Sequence, residues 1–156
     1  MAEGPSDQMP KLLDPDIHTV ATQCSRQERE LDVLHETLRT EQVVKDGATL
    51  YYVDGMLHRI HGPAAITATG QKYWYRHGKL DRDDGPAVVG HTYQAWLSKG
   101  EYHRIGGAAV TYDIVDGHDE WWLFGVSYTQ DDYWRELERL GYDVSKYQQA
   151  APDPAG

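Results

Sequence analysis

The feature that most constrains this chain is a sequence motif that recurs at intervals of 22 to 25 residues. Aligned on its first glycine, it reads GMLHRIHGPAAI from Gly55, GKLDRDDGPAVV from Gly78 and GEYHRIGGAAVT from Gly100, with a partial fourth copy at Gly125. Four positions before each of these glycines stands a large aromatic residue: Tyr51, Trp74, Trp96 and Trp121. Self-similarity at a fixed period is typical of repeat architectures, in which stacked copies bury a shared core.

Each repeat is predicted to contain two short β-strands. The runs ATLYYV and QKYWYR are aromatic and β-branched and are bounded by glycine, and PAAIT and PAVV supply the second strand. The segments ATGQ, VGHT and VDGH have turn chemistry. The fold class is therefore mainly β, an array of about four antiparallel β-hairpin repeats over residues 47–128. The four aromatic residues named above are expected to form a buried ladder, the core of the array.

Helices are predicted on both sides of the array. Residues 25–45 open with capping-box spacing and carry one apolar stripe of Leu31, Leu34 and Leu38. This stripe is expected to pack on the first repeat, with a homodimer helix as the alternative. Residues 129–147 contain a second amphipathic helix, expected to cap the last hydrophobic edge of the array. Residues 1–24 are expected to be irregular or disordered, and residues 148–156 a disordered tail.

Composition and charge argue against several functions. The net charge is −10, so nucleic-acid binding through clustered Lys and Arg is not expected. No apolar run approaches the length of a membrane span, and the first residues lack the features of a secretory signal. The single cysteine, Cys24, excludes an intrachain disulfide and fits a reducing compartment, so we expect a cytoplasmic protein that does not bind membranes.

Histidines in the segments that follow each hairpin raise the possibility of a metal site. His58, His61 and His103 are the candidates, since imidazole is a common zinc ligand. However, His58 and His103 hold the same position in non-adjacent repeats, which places them too far apart to share one ion. We therefore expect no metal and no cofactor.

Acidic residues in the second repeat admit a catalytic alternative. Asp81, Asp83 and Asp84 could form a hydrolase acid pair or a magnesium site. They lie in a segment that joins turn to strand in every repeat, where a carboxylate caps backbone N–H groups. We therefore expect no catalytic residue here, and a local acidic patch for a partner instead.

Arginines recur at one position of the motif, as Arg59, Arg82 and Arg104. They could form a ladder that binds phosphate or carboxylate groups. The favoured interpretation is structural: each guanidinium stacks on an aromatic ring and pairs with a nearby acid such as Asp54 or Asp84. Arg82 is nevertheless kept as a candidate partner-binding residue beside the acidic patch.

A second candidate surface follows from strand alternation. Neighbours of the predicted ladder should point to the opposite face, which would leave an aromatic surface of the kind that binds proteins. The alternative is that a second sheet or a dimer covers that face. The candidate residues are Tyr52, Tyr73, Tyr75 and Trp122.

The pattern aromatic-x3-G-x-[LY]-[HD]-R-x-x-G-[PA]-A resembles the degenerate MORN-like repeats. It is more similar to a repeat family of bacteriophages and giant viruses, whose units read roughly W-x3-G-x2-H-R-x-D-G-P-A. The resemblance covers about residues 47–135, and the chain departs from it at Asp81, at Ala108 and in the fourth unit. It implies a binding and assembly array without enzymatic activity. We therefore predict a non-catalytic protein-interaction module, a phage or bacterial accessory protein that binds or inhibits a host factor. The alternative is a small enzyme or a metal- or ligand-binding protein that uses the His and Asp residues.

Overall fold

The computed structural model describes residues 30–149, apart from 32, 35 and 36. The chain divides into two units, residues 1–39 and 40–156. In the first unit, helix α1 includes residues 30, 31, 33, 34 and 37–39, and the side chains of Leu31, Leu34 and Leu38 are exposed. The predicted start of this helix at residue 25 and both chain ends, 1–24 and 150–156, lie outside the described residues.

The second unit is mainly β, as the sequence predicts, and its described part contains fourteen short strands followed by two helices. The strands are β1 (Glu41–Lys45), β2 (Ala48–Val53), β3 (Met56–Leu57), β4 (Ala65–Ile66), β5 (Lys72–Tyr73), β6 (Tyr75–Arg76), β7 (Lys79–Leu80), β8 (Val88–Val89), β9 (Tyr93–Ala95), β10 (Leu97–Ser98), β11 (Glu101–Tyr102), β12 (Val110–Tyr112), β13 (Trp121–Leu123) and β14 (Val126–Tyr128). The helices are α2 (Gln130–Arg139) and α3 (Ser145–Gln148).

One antiparallel sheet runs the length of the array. Its strand order is β1-β2-β4-β5-β8-β9-β12, and β3 pairs with β2 beside it. Three separate hairpins follow the same period, β6–β7, β10–β11 and β13–β14. The second and third repeats therefore each contribute strands to the long sheet and one separate hairpin, and a connector leads from the hairpin to the next sheet strand.

The ladder aromatic is the junction between the sheet and the hairpin. Trp74 lies between β5 and β6, which belong to different sheets. Its N–H donates to the carbonyl of Ala87 at 2.8 Å, while its own carbonyl accepts from the N–H of Asp81 at 3.0 Å. Trp96 is bonded in the same way, to Ala109 and His103. The motif spacing from aromatic to alanine thus reflects one repeated backbone hydrogen bond.

Each hairpin turns through two residues with positive φ. His77 has a φ of 48° and Gly78 one of 75°, the geometry of a type I′ turn, whose twist matches that of the flanking strands. The second position is glycine in every copy of the motif because it takes this conformation without steric cost. The N–H of Gly78 also donates to the carbonyl of Leu57 at 2.9 Å, so the turn is joined to the hairpin of the preceding repeat.

The core is not the predicted aromatic ladder, and that expectation is wrong. The ladder side chains are half-buried, whereas the alanine of the motif is fully buried in three repeats, as Ala64, Ala87 and Ala109. Around these alanines one buried cluster consists of Ala87, Val88, Ala95, Leu97 and Val110. The small alanine lets neighbouring strands approach closely, while the larger rings remain at the margin of the core.

The predicted helix over 25–45 is also wrong at its C-terminal end. Glu41–Lys45 form strand β1, which pairs antiparallel with β2 from Glu41↔Tyr52 to Lys45↔Ala48. Asp46 and Gly47, with φ of 52° and 79°, form the two-residue turn between the two strands. An Asp-Gly pair between two apolar runs is a hairpin signal, so the sequence contained the information for this strand.

Helix α2 packs on the last hairpin. Thr129 is its N-cap, with a side chain that accepts from the N–H of Asp132, and Gly141 has a positive φ just beyond the C-terminal end. Tyr133 and Leu137 are fully buried in a second cluster with Leu123. This arrangement is that of a cap which covers the final unit of an array.

Candidate interaction face on the repeat connectors

Three connectors carry the residues that the sequence singles out: connector 1 (58–64), connector 2 (81–87) and connector 3 (103–109). In each, the motif arginine lies over the ring of the ladder aromatic. The distances from Cζ to the ring centroid are 3.9 Å for Arg59 on Tyr51, 4.0 Å for Arg82 on Trp74 and 3.8 Å for Arg104 on Trp96. Such cation–π contacts stabilise a partly exposed pair by about 0.5–1 kcal/mol. The structural interpretation of the arginines is the one that this geometry favours.

Close packing explains the second glycine of the motif. A Cβ built on Gly85 would lie 2.8 Å from Cζ of Arg82, and one on Gly107 would lie 2.9 Å from Cζ of Arg104. Nη1 of Arg82 also donates to the carbonyl of Pro86 at 3.0 Å. Aromatic ring, guanidinium and glycine therefore form one packed unit, which explains the motif positions aromatic, Arg and Gly together.

The acidic residues of connector 2 pair with arginines. Nε of Arg82 donates to Oδ1 of Asp84, and Nη1 of Arg76 donates to Oδ2 of Asp83, both at 2.8 Å. The carboxylate of Asp81 lies 4.0 Å from Nη1 of Arg76 and is mostly buried. Asp83 and Asp84 remain 64% and 84% exposed, so their free oxygens still face solvent.

These pairs alter the titration of their members. The hydrogen bond from Arg82 holds the pKa of the Asp84 carboxyl below its usual value, and the charge of Arg82 adds to the effect. Burial lowers the pKa of the Arg76 guanidinium, but the hydrogen bond to Asp83 and the surrounding carboxylates outweigh burial and raise it overall. Asp84 therefore stays ionised at neutral pH, which suits ion pairing and does not suit a general acid.

Two of the three candidate metal-binding histidines, His58 and His103, accept hydrogen bonds from the backbone, and His61 is exposed on connector 1. Nδ1 of His58 accepts from the N–H of His77 at 2.9 Å, and Nδ1 of His103 accepts from the N–H of Phe124 at 3.1 Å. In both cases the donor is the first residue of the next type I′ turn, so the imidazole joins successive hairpins. Burial lowers the pKa of His103, which keeps it neutral and able to accept this bond. Among the described residues, no group of three or more His, Cys, Asp or Glu is placed to hold a metal ion.

Two open cavities lie on either side of the Arg82–Asp84 pair. The first, of about 360 Å³, is lined by residues of connector 1 together with Trp74 and Arg76. The second, of about 520 Å³, is lined by connectors 2 and 3 together with Trp96 and Ser98. Arg82 and Asp84 contribute to both cavities. We call this row of two cavities and the intervening pair the connector face.

The aromatic candidates do not form the exposed surface that alternation predicts. Tyr52, Tyr73, Tyr75 and Trp122 are all half-buried. Tyr73 and Trp122 pack against the first core cluster, and their polar ends bond to Gln71 and Glu120. Burial also raises the pKa of the Tyr73 hydroxyl, with smaller contributions from neighbouring tyrosines. Exposure is one of the two alternatives that the sequence leaves open, and the half-buried side chains do not favour it. Tyr73 and Tyr75 lie on either side of the break at Trp74 and belong to different sheets, whereas Tyr52 and Trp122 lie within the unbroken strands β2 and β13.

Sequence reasoning missed two residues of this region. Ser98 lines the larger cavity at the position that Arg76 holds in the preceding repeat. The hydroxyl of Tyr133 donates to the carbonyl of Arg104 at 2.6 Å and accepts from the N–H groups of Gly106 and Gly107. Ser98 stands at a position that differs in every repeat, and Tyr133 lies outside the motif, so neither was marked by the repeat pattern.

Comparison with known proteins adds no relatives: no family model, no curated protein and no solved structure matches the chain. In the part of the chain that the structure describes, no helix combines the length and the apolar character that a bilayer span requires.

Proposed function

We propose that this chain is a non-catalytic β-repeat module that binds a protein partner through the connector face. The observation that carries the proposal is the placement of Asp83 and Asp84. They are the exposed acids of the central repeat, and they lie between two cavities that together run across all three connectors. An array with a shallow row of cavities and a polar rim suits the recognition of an extended segment of another protein.

The roles of the other polar residues support a binding module over an enzyme. The motif arginines stack on rings and bond to carbonyls, and the two histidines accept hydrogen bonds from turn N–H groups. Residues engaged in this way hold the repeats together, which leaves them poorly placed for proton transfer or metal binding.

The biological setting of the proposal rests on the resemblance to phage and giant-virus repeats. On that basis we propose an accessory protein that acts in the cytoplasm of a bacterial host, where it binds or inhibits a host factor. This role is an analogy between folds and motifs, so the partner has to be found by experiment.

The test is affinity capture from bacterial lysate followed by mass spectrometry, with binding constants then measured on the purified partner. We expect Asp83→Asn/Asp84→Asn to reduce capture, because both carboxylates are exposed on the proposed face. The matched control is Asp116→Asn/Glu138→Gln, which removes the same charge from exposed positions elsewhere. Equal capture by wild type and both variants would contradict the connector face as the binding surface.

The alternative, a metal- or ligand-binding protein, is tested by elemental analysis of the purified chain. A transition metal retained in stoichiometric amount by the wild type, and lost in His58→Ala, would overturn the proposal. We expect no such metal, because Nδ1 of His58 already accepts from the backbone of His77.

A further inference from the structure

Arg104 differs from Arg82 in one respect, although both occupy the same position in the repeat. Each guanidinium lies on a tryptophan ring and donates from Nη1 to a backbone carbonyl at 3.0 Å. Nε of Arg82 additionally donates to the carboxylate of Asp84. Among the residues that the structure describes, no carboxylate pairs with Arg104, since Gly106 stands where Asp84 stands in connector 2.

The unbonded nitrogens of Arg104 are open to a ligand. Arg104 lines the cavity of about 520 Å³. Within the described part of the chain, every fully buried side-chain nitrogen or oxygen has a hydrogen-bond partner. The Nε and Nη2 groups of Arg104 make no such bond, so they are not fully buried, and Arg104 is a lining residue of the cavity. Burial lowers the pKa of this guanidinium, which Tyr133 and Asp119 only partly offset, so an added anion would stabilise its charge.

The chain cannot supply its own carboxylate at this point. Gly106 has a φ of 85°, and a Cβ built on it would clash with the ring of Tyr147. Position 106 is thus restricted to glycine by the C-terminal segment that packs there. Ser98 lines this cavity at the repeat position that Arg76 holds in the other cavity, so the larger cavity has a small hydroxyl side chain where the smaller one has a guanidinium.

Two acids, Asp83 and Asp84, line the same cavity as Arg104. Each is held by an arginine at 2.8 Å, so its charge is paired within the chain. His103 also lines the cavity, and its lowered pKa leaves it neutral. At about 0.15 M salt the Debye length is about 8 Å, so the more distant acids of this acidic chain are largely screened.

We propose that Arg104 binds an acidic side chain of the protein partner within this cavity, in the way that Arg82 binds Asp84 within the chain. This inference rests on the proposed function and names the chemistry of its ligand. A guanidinium fork fixed on a ring face is suited to a carboxylate, because little conformational freedom remains to be lost on binding.

The test uses the ¹H–¹⁵N Nε–Hε resonances of the arginines in the full-length chain at about 0.15 M salt. The probe is the tripeptide N-acetyl-Gly-Glu-Gly-amide, with the Gln peptide as its uncharged control and sodium acetate as the free carboxylate. We expect the Arg104 resonance to shift in a saturable way with the Glu peptide, with a roughly millimolar dissociation constant. The Arg82 resonance, already bonded to Asp84, should not shift.

Two variants sharpen the comparison. Asp84→Ala removes the acceptor for Nε of Arg82, which should then respond to the Glu peptide as Arg104 does. Arg104→Lys keeps the charge but loses the fork, and should weaken binding about tenfold. Circular dichroism and thermal melts verify that each variant folds.

An unmoved Arg104 resonance, or an equal response to the Gln peptide, would overturn the inference. A response to acetate as strong as that to the Glu peptide would overturn protein docking, because the site would then recognise any small carboxylate. Failure of the two proposals is distinguishable. If Asp83→Asn/Asp84→Asn loses the captured partner and Arg104→Lys does not, the inference alone is rejected. If the peptide shifts the Arg104 resonance but no partner is captured, the proposed function alone is rejected.

Discussion

The inner repeats and the last unit of the array cover the same aromatic position in two different ways. In the second repeat, the ring of Trp74 carries the guanidinium of Arg82 at 4.0 Å. In the fourth unit, which has no motif arginine, Trp121 packs against Tyr133 and Trp134 of α2, with ring centroids 5.0 and 5.6 Å apart. In the inner repeat the ring is covered by an arginine of the same repeat, and in the last unit it is covered by aromatic side chains of the helix that follows. The array ends at the unit in which helix α2, and not a motif arginine, packs against the ladder aromatic.

The largest expected effect is at the closed end. Tyr133→Ala removes a fully buried ring and the hydroxyl that bonds to three backbone groups of connector 3. Loss of a large buried aromatic costs about 3–5 kcal/mol, so we expect a fall of that size in the free energy of unfolding, measured by urea denaturation. A cost below about 1 kcal/mol would contradict the role of α2 as the cap.

Tyr133→Phe distinguishes the contribution of the ring to stability from that of the hydroxyl. The ring contacts with Trp121 and Trp134 are retained, while the carbonyl of Arg104 and two N–H groups lose their partner. We expect a loss of about 1–3 kcal/mol from the unsatisfied backbone groups. Amide hydrogen exchange should show the loosening at Gly106 and Gly107, and unchanged protection there would argue against the hydroxyl as the link.

In the inner repeats, Gly85→Ala tests whether glycine is required by the arginine above it. The added Cβ pushes the Arg82 guanidinium off its position on Trp74, and we expect a cost of about 1 kcal/mol in thermal or urea unfolding. In the Arg82→Ala background the same change should cost much less, because the clash is gone. Additive costs in this double-mutant cycle would show that ring, arginine and glycine do not act as a unit.

The free energy of unfolding should depend on pH through His103, which accepts a hydrogen bond from the turn of the next hairpin. Because burial depresses its pKa in the folded chain, the unfolded chain binds the proton more readily. Its stabilising contribution is complete above the unfolded pKa of about 6.5 and is lost as the pH falls through the lower folded value. His103→Asn keeps an acceptor for the N–H of Phe124 without titrating, so its stability should depend less on pH between these values. Identical pH profiles for wild type and variant, measured by urea unfolding, would contradict this prediction.

The smallest effect is expected at the exposed pair of connector 2. Asp84 is 84% exposed, so Asp84→Asn should change the free energy of unfolding by less than about 1 kcal/mol, since solvent screens surface ion pairs. The pKa of Asp84 is lowered in the folded chain. Any stabilisation by the ion pair is therefore complete above the pKa of the unfolded carboxyl and is lost as the pH falls through the lower folded pKa. A larger cost would mean that Asp84 holds the connector together and is unsuited as a partner contact.

Local sequence chemistry predicted the parts of the fold that depend on neighbouring residues. The Gly-ended turns, the short strands and the amphipathic helix after residue 129 follow from preferences within a few positions of the chain, and the structure has all three. The helix predicted through residue 45 is wrong at its end, because the leucine pattern was extended up to the Asp46-Gly47 turn, through the residues that form strand β1. The predicted aromatic surface depends on alternation along an unbroken strand, and the strand breaks at Trp74 and Trp96.

The sequence by itself determined the period, the hairpin in each repeat and the helix that ends the array, because glycine spacing and apolar patterning act locally on the backbone. Only the tertiary structure decided that alanine and not tryptophan fills the core, and that Arg82 meets a carboxylate while Arg104 meets a cavity. Those outcomes depend on residues from successive repeats and from the C-terminal segment, which the chain brings together only when the repeats stack. The motif thus specifies the array, whereas residues at its variable positions, Ser98 and Gly106, distinguish the surroundings of Arg104 from those of Arg82.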